Sequence, residues 1–122
     1  MKDESPEDLT VRTKRFALKV IHAYSGLPKK AEAQVLGRQL LRSGTSVGAQ
    51  YREATRGKSD ADFVSKVEGC LQELEETAYW LELLIEGEVV QTEPFQSLHD
   101  ETEQLIAIFV TIAKKVKSKV GK

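Results

Sequence analysis

Cysteine occurs once in this 122-residue chain, at Cys70, and histidine only twice, at His22 and His99. One thiol cannot close an internal disulfide, which points to a reducing, cytoplasmic compartment. One cysteine and two separated histidines also fall short of a zinc set, so no metal and no other cofactor is expected. Proline is scarce: Pro6, Pro28 and Pro94 are the only three, and each falls at the edge of a periodic segment. No apolar run approaches the roughly 20 residues that cross a bilayer. The opening MKDESPEDLT is acidic and polar, unlike the basic-then-apolar order of a signal peptide. Alternating β patterns, repeats and low-complexity tracts are missing as well, and Val89-Val90 is too short to argue a strand.

The remaining deficit is one of charge. Residues 67–113 hold eleven acidic residues and not one lysine or arginine, whereas residues 1–66 hold thirteen basic and eight acidic ones. Five lysines follow in residues 114–122. A formal net charge of −1 conceals this segregation. Solvation of outer helix faces accounts for each run singly, but the unbroken acidic stretch also suits attraction to something basic.

What the chain has is helical periodicity. Its length and its 40% hydrophobic content fit one soluble domain over residues 1–122. Four segments are expected, at about 6–25, 30–55, 60–86 and 93–118. The first opens at Ser5-Pro6-Glu7-Asp8, a capping serine, then proline and carboxylates at the positive helix end. Its apolar stripe is Leu9, Thr13, Phe16, Ala17, Val20, Ile21 and Tyr24, and Gly26-Leu27-Pro28 ends it. The second carries Leu36, Leu40, Val47, Tyr51 and Ala54, with Ser43 and Gly44 on the same stripe. Gly44 and Gly48 each cost a helix interior roughly 1 kcal/mol against alanine, so close approach of a neighbouring helix should compensate. Gly57 is expected to stop this helix in the left-handed conformation. Ser59 opens the third with Asp62 three residues on, a capping pair. That helix carries Phe63, Val67, Cys70, Leu71, Leu74, Ala78, Leu81 and Leu84, and Gly87 closes it. The fourth starts near Thr92-Glu93-Pro94 and carries Leu98, Thr102, Leu105, Phe109, Ile112 and Val116. Roughly the first and last five residues are expected to fray.

Short connections make sequential helices antiparallel, so the fold class is all-α, an antiparallel up-and-down four-helix bundle. Folding about Gly57–Lys58 sets Val47 opposite Cys70, and Ser43 and Gly44 opposite Leu74. Arg42 then lies near Glu73 and Glu76, in a partly buried ion pair that fixes register.

The run RSGTSVGAQYREA, Ser59 and Phe63 beyond it, and ETAYWLELL at residues 76–84 resemble a known family. It is the bacterial four-helix-bundle family, also called the 23S ribosomal RNA intervening-sequence proteins. Arg42, Ser43, Ser46, Val47, Ala49, Ser59 and Phe63 carry most of the likeness, which runs from about residue 16 to about 116. The accessory variability proteins of diversity-generating retroelements share the fold. The resemblance implies a bundle commonly assembled as a homopentamer and an RNA context, without a settled biochemical activity.

Catalysis has little to stand on, and no enzyme is expected. No HExxH occurs, and Glu73, Glu75 and Glu76 lack the Glu-x-x-His pairs of a di-iron bundle. Cys70 has no cation near it in sequence to make it nucleophilic. No glycine-rich phosphate loop and no small-molecule substrate site is evident. Binding is the better expectation. Arg12, Arg15, Arg52, Arg56 and Lys58 are the candidate phosphate contacts of an RNA-associated scaffold or accessory protein. The alternative is a protein–protein module that docks a basic partner on its acidic third and fourth helices. Self-assembly suits both. Trp80 and Leu83, beside Tyr79, lie off the core stripe, and Ile106, Val110 and Ala113 make a second stripe on the fourth helix. A solitary bundle needs one apolar face per helix, so Tyr79, Trp80, Leu83, Ile106 and Val110 are the candidate interface between subunits.

Overall fold

The computed structural model describes residues 6–120, with side chains from residue 9 to residue 119. The capping role of Ser5 and the Glu7 and Asp8 carboxylates therefore lie outside the described residues. Four helices account for the chain: α1 (Pro6–Ser25), α2 (Ala31–Thr55), α3 (Asp60–Glu86) and α4 (Thr92–Val120). No strand occurs among the described residues. α2 packs on α3 and α3 on α4 most extensively, α1 lies against α2, and α1 touches α4 least. This is the up-and-down bundle, with boundaries within two residues of those expected.

The core is built from the expected stripes. Leu9, Phe16 and Val20 of α1 meet Leu40, Val47 and Tyr51 of α2, Val67, Leu74, Leu81 and Leu84 of α3, and Leu105 and Phe109 of α4. Each such side chain contributes roughly 1.5–3 kcal/mol by leaving water. Two of the buried hydroxyls are satisfied within their own helices: Thr13 donates to the Leu9 carbonyl at 2.7 Å and Thr102 to that of Leu98 at 2.8 Å. Ile21 departs from expectation. It is 44% exposed, because α1 turns that position outward with Val11 and Leu18.

The α2–α3 hairpin confirms one pairing and corrects another. The Cys70 thiol donates to the Val47 carbonyl at 3.5 Å, so these residues do face each other. Ser43 instead meets Thr77, with hydroxyl oxygens 2.7 Å apart. Thr77 gives its single proton to the Glu73 carbonyl at 2.8 Å, so Ser43 is the donor to Thr77. Gly44 does not face α3. A Cβ there would lie 2.9 Å from the Val20 side chain, and one at Gly48 would lie 3.2 Å from Thr13 Oγ1. The small-residue stripe is the seat for α1, one helical phase away from the α3-facing positions. Arg42 reaches Glu76 at 2.7 Å and Glu73 at 3.5 Å as expected, but its side chain is 54% exposed rather than partly buried. An exposed pair of this kind is worth at most about 1 kcal/mol.

Helix ends follow the sequence at Ser59 and at Gly87, which caps α3, and not at Gly57. Ser59 accepts the Asp62 amide at 3.1 Å, and Asp62 reaches back to the Lys58 amide at 3.3 Å, which is the expected capping arrangement. Gly57 is not left-handed, since no described glycine has positive φ. α2 ends at Thr55 with Arg56 as its cap, and Gly57 donates to the Ala54 carbonyl at 3.1 Å. At the end of α3 the left-handed residue is Glu88, with φ 57°. Its amide donates to Ile85 and that of Val89 to Leu84, both at 3.0 Å, a Schellman closure with glutamate in the glycine place. Gly87 serves by its size, because a Cβ there would come within 2.7 Å of the Leu83 carbonyl.

Candidate functional site

The small side chains that seat α1 on α2 also leave an open cleft of about 570 Å³ along the outer edge of that pair. Thr13, Ala17 and Gly48 lie deep in it, and Lys14, Arg52 and Arg56 stand exposed around it. Arg52 and Arg56 are one turn apart at the end of α2, where the negative helix terminus attracts cations. Glu53 also lines the cleft, but its Oε1 accepts from Lys66 Nζ at 2.7 Å, which offsets its charge. Lys14, Arg52 and Arg56 have no carboxylate partner among the described residues. Three cations around a groove with an uncharged floor attract a phosphodiester backbone without reading bases.

The five cations expected to contact phosphate do not converge. Only Arg52 and Arg56 line the cleft. Arg12 is turned to α4, where Nε and Nη2 donate to Glu101 at 2.8 and 2.9 Å and Nη2 also to Gln104 at 3.0 Å. That bidentate pair ties α1 to α4. Arg15 borders a smaller recess on the same flank, with Lys19 and Glu101. Lys58 stands exposed in the α2–α3 turn. Lys14 completes the cleft, and nothing in its spacing set it apart from Arg12, Arg15 and Lys19.

The expected assembly residues divide as well. Tyr79 is 53% exposed, and its ring lies 5.2 Å from that of Trp80. Trp80, Leu83, Ile106 and Val110 are half-buried, with Trp80 and Ile106 resting on the core. Trp80 lies one turn beyond Glu76, on the flank where Arg42 of α2 binds. Ile106 and Val110 follow His99 and Glu103 along the α3-facing side of α4. Sequence periodicity missed a third apolar surface. Val11 and Leu18 sit seven residues apart on the outer face of α1, each 56% exposed, and Val35 is open on α2.

The motif block has a structural use. Ser46 donates to the Arg42 carbonyl at 2.7 Å, and Gln50 donates to Glu73 at 3.3 Å. The Ser46 bond stays within α2, whereas Gln50 with Glu73, Arg42 with Glu73 and Glu76, and Ser43 with the unanticipated Thr77 cross to α3 and set the α2–α3 register. Cys70 is fully buried, and burial pushes its thiol up to about 12, aided by the charges of Glu53 and Glu73. A thiol in that state is a packing group and not a nucleophile.

His99 is not isolated. Its Nε2 lies 2.8 Å from Glu82 on α3 and 3.8 Å from Glu103 one turn along α4. The local signal was there, a histidine and a glutamate four residues apart, but Glu82 is brought in by the fold.

A family model described as 23S rRNA-intervening sequence protein matches residues 7–111. Among solved structures, the chain is similar to a protein of unknown function from the S23 ribosomal protein family of Bacteroides thetaiotaomicron. The two are 35% identical, with a TM-score of 0.82, over 89% of this chain and 97% of the other. Comparison with curated proteins finds no match. With the α2–α3 motif block in place and the match spanning all but the ends, the chain belongs to the family of 23S rRNA-intervening sequence proteins.

Proposed function

We propose that this protein is a non-enzymatic, RNA-associated accessory module that acts as a homo-oligomer, and that it holds RNA backbone across the α1–α2 cleft. The observation that carries the reading is the placement of Lys14, Arg52 and Arg56 around one groove whose single carboxylate, Glu53, is paired with Lys66. The family's RNA context supports it. The cytoplasm is the fitting compartment, since no helix among the described residues is long and apolar enough to cross a membrane and the one thiol is buried and free.

Fluorescence anisotropy with a structured RNA should show binding at low salt that weakens steeply as salt rises. Each phosphate contact adds about 0.9 to the slope of log affinity against log salt on a duplex and about 0.7 on a single strand. Arg52→Glu with Arg56→Glu should lower affinity by about tenfold or more and flatten that slope, whereas Arg15→Glu should do less. Equal losses from both changes would move the binding face off the cleft, and no binding at low salt would reject RNA altogether. Rejection would leave the second reading, a basic protein docked on the carboxylates of α3 and α4.

Assembly rests on the exposed Tyr79, Val11 and Leu18 and on the half-buried Trp80, Leu83, Ile106 and Val110. The outer face of α1, where Val11, Arg15, Leu18 and Lys19 lie off the cleft, can meet the acidic α3–α4 flank of the next subunit, and five such contacts close a ring that leaves Lys14, Arg52 and Arg56 to RNA. Light scattering during size exclusion should give a multiple of 13.6 kDa. A single-chain mass at micromolar concentration would rule the oligomer out.

A further inference from the structure

We propose that Glu82, His99 and Glu103 form a binding site for a divalent transition-metal ion, of the zinc class, at the seam between α3 and α4. One donor atom from each residue lies within 4.8 Å of the others. Metal–ligand bonds of roughly 2.0–2.2 Å place neighbouring donors of a tetrahedral set about 3.3–3.5 Å apart. The two distances from His99 Nε2, 2.8 and 3.8 Å, straddle that value, so small side-chain rotations admit an ion. The imidazole is 18% exposed, while Glu82 and Glu103 are open enough to adjust and to leave water-facing positions on the ion.

Charge makes the arrangement unusual for a plain ion pair. Nε2 carries one proton at most, and it can serve Glu82 but not Glu103 at the same time. No lysine or arginine occurs between residues 67 and 113 to neutralise the second carboxylate. The first lysines along α4, Lys114 and Lys115, come eleven and twelve residues, about three turns, beyond Glu103, and Lys117 is paired with Glu68. A dication bound by all three side chains satisfies both carboxylates together. One imidazole and two carboxylates favour zinc or a similar borderline ion over magnesium, which prefers oxygen ligands alone and octahedral geometry. The site is on the opposite side of the bundle from the α1–α2 cleft, and it does not depend on RNA binding.

The test is isothermal titration of the whole protein with zinc chloride, repeated with magnesium chloride. Saturable binding of one zinc per chain is expected, with no heat from magnesium, and zinc should raise the melting temperature. Removal of groups that merely orient a ligand costs about 10–100-fold in affinity, so His99→Gln and Glu103→Gln should cost at least as much. His22→Ala, at an exposed histidine of α1 that is not in the cluster, should leave binding unchanged. Cobalt substitution should give the visible bands of a low-coordinate site, lost in His99→Gln. Zinc affinity that survives His99→Gln, or that falls in His22→Ala, overturns the proposal, as does the absence of saturable zinc binding in the millimolar range. Circular dichroism of each variant separates loss of the ion from loss of the fold.

Discussion

Between about pH 9 and pH 12 the bundle is expected to lose roughly 1 kcal/mol of stability per pH unit through Cys70, joined above about pH 10 by a similar share through Tyr51. Cys70→Ala should remove one share of that slope. Cys70 rises from an ordinary 9.0 to about 12, first by burial and then by nearby carboxylates. Tyr51 rises from 10.0 to about 12, again first by burial and then by the Cys70 charge. Both groups are raised, so both stay neutral in the fold while the unfolded chain gives up its protons. Stability attributable to them is fully present below their ordinary values and disappears as pH climbs towards 12. The window opens near pH 9 for Cys70 and near pH 10 for Tyr51. The comparison with Cys70→Ala separates the thiol's share from every other change at alkaline pH. Urea unfolding midpoints at several pH values measure the slopes. If wild type and Cys70→Ala weaken in parallel, the buried thiol has no part in the alkaline loss.

Phe109→Ala is expected to cost about 3–5 kcal/mol, the usual range for removing a fully buried ring. Phe109 has no exposed surface, and its ring meets that of Tyr51 edge-on at 5.4 Å and 69°. This contact links α2 to α4 across the middle of the bundle. An aromatic pair in that geometry adds roughly 0.5–1.5 kcal/mol beyond the area it buries. Phe109→Leu keeps most of the volume but not the quadrupole, and it should recover more than half of the loss. Two-state denaturant unfolding gives both numbers. A loss under about 1 kcal/mol for Phe109→Ala would mean that the centre of the bundle is not closed by these rings.

How much could be read in advance depended on the range of the interaction. Helix boundaries, core stripes and the Ser59 cap are written in residues three or four apart, and they were legible. The partner of Gly44 was not. A glycine in a helix announces that something comes close, but its neighbour could be α1 or α3, and only the helical phase set by Val20 and Thr77 decides. Glu88 was hidden for a different reason. Gly87 does close α3 as expected and spares the Leu83 carbonyl a clash, but the left-handed position falls one residue later, on a glutamate that nothing in the local pattern marks. The cations dispersed because Arg12 and Arg15 face α4 while Lys14 faces α2, a division invisible until both neighbours are placed. The family resemblance conveyed the bundle and its RNA context, and it was silent on which arginines share a groove.

The glycines along α2 have one more implication for how α1 is held. Each place that lacks a Cβ is a socket for a peg from the α1 segment: Val20 at Gly44, Thr13 at Gly48 and, just past the end of α1, Leu27 at Gly37. Pegs in sockets fix a rod lengthwise as well as sideways, and the Arg12 fork on Glu101 holds its other flank to α4. Plugging the Gly44 socket with a larger residue would lift the rod, and Lys14 would rise with it, away from Arg52 and Arg56.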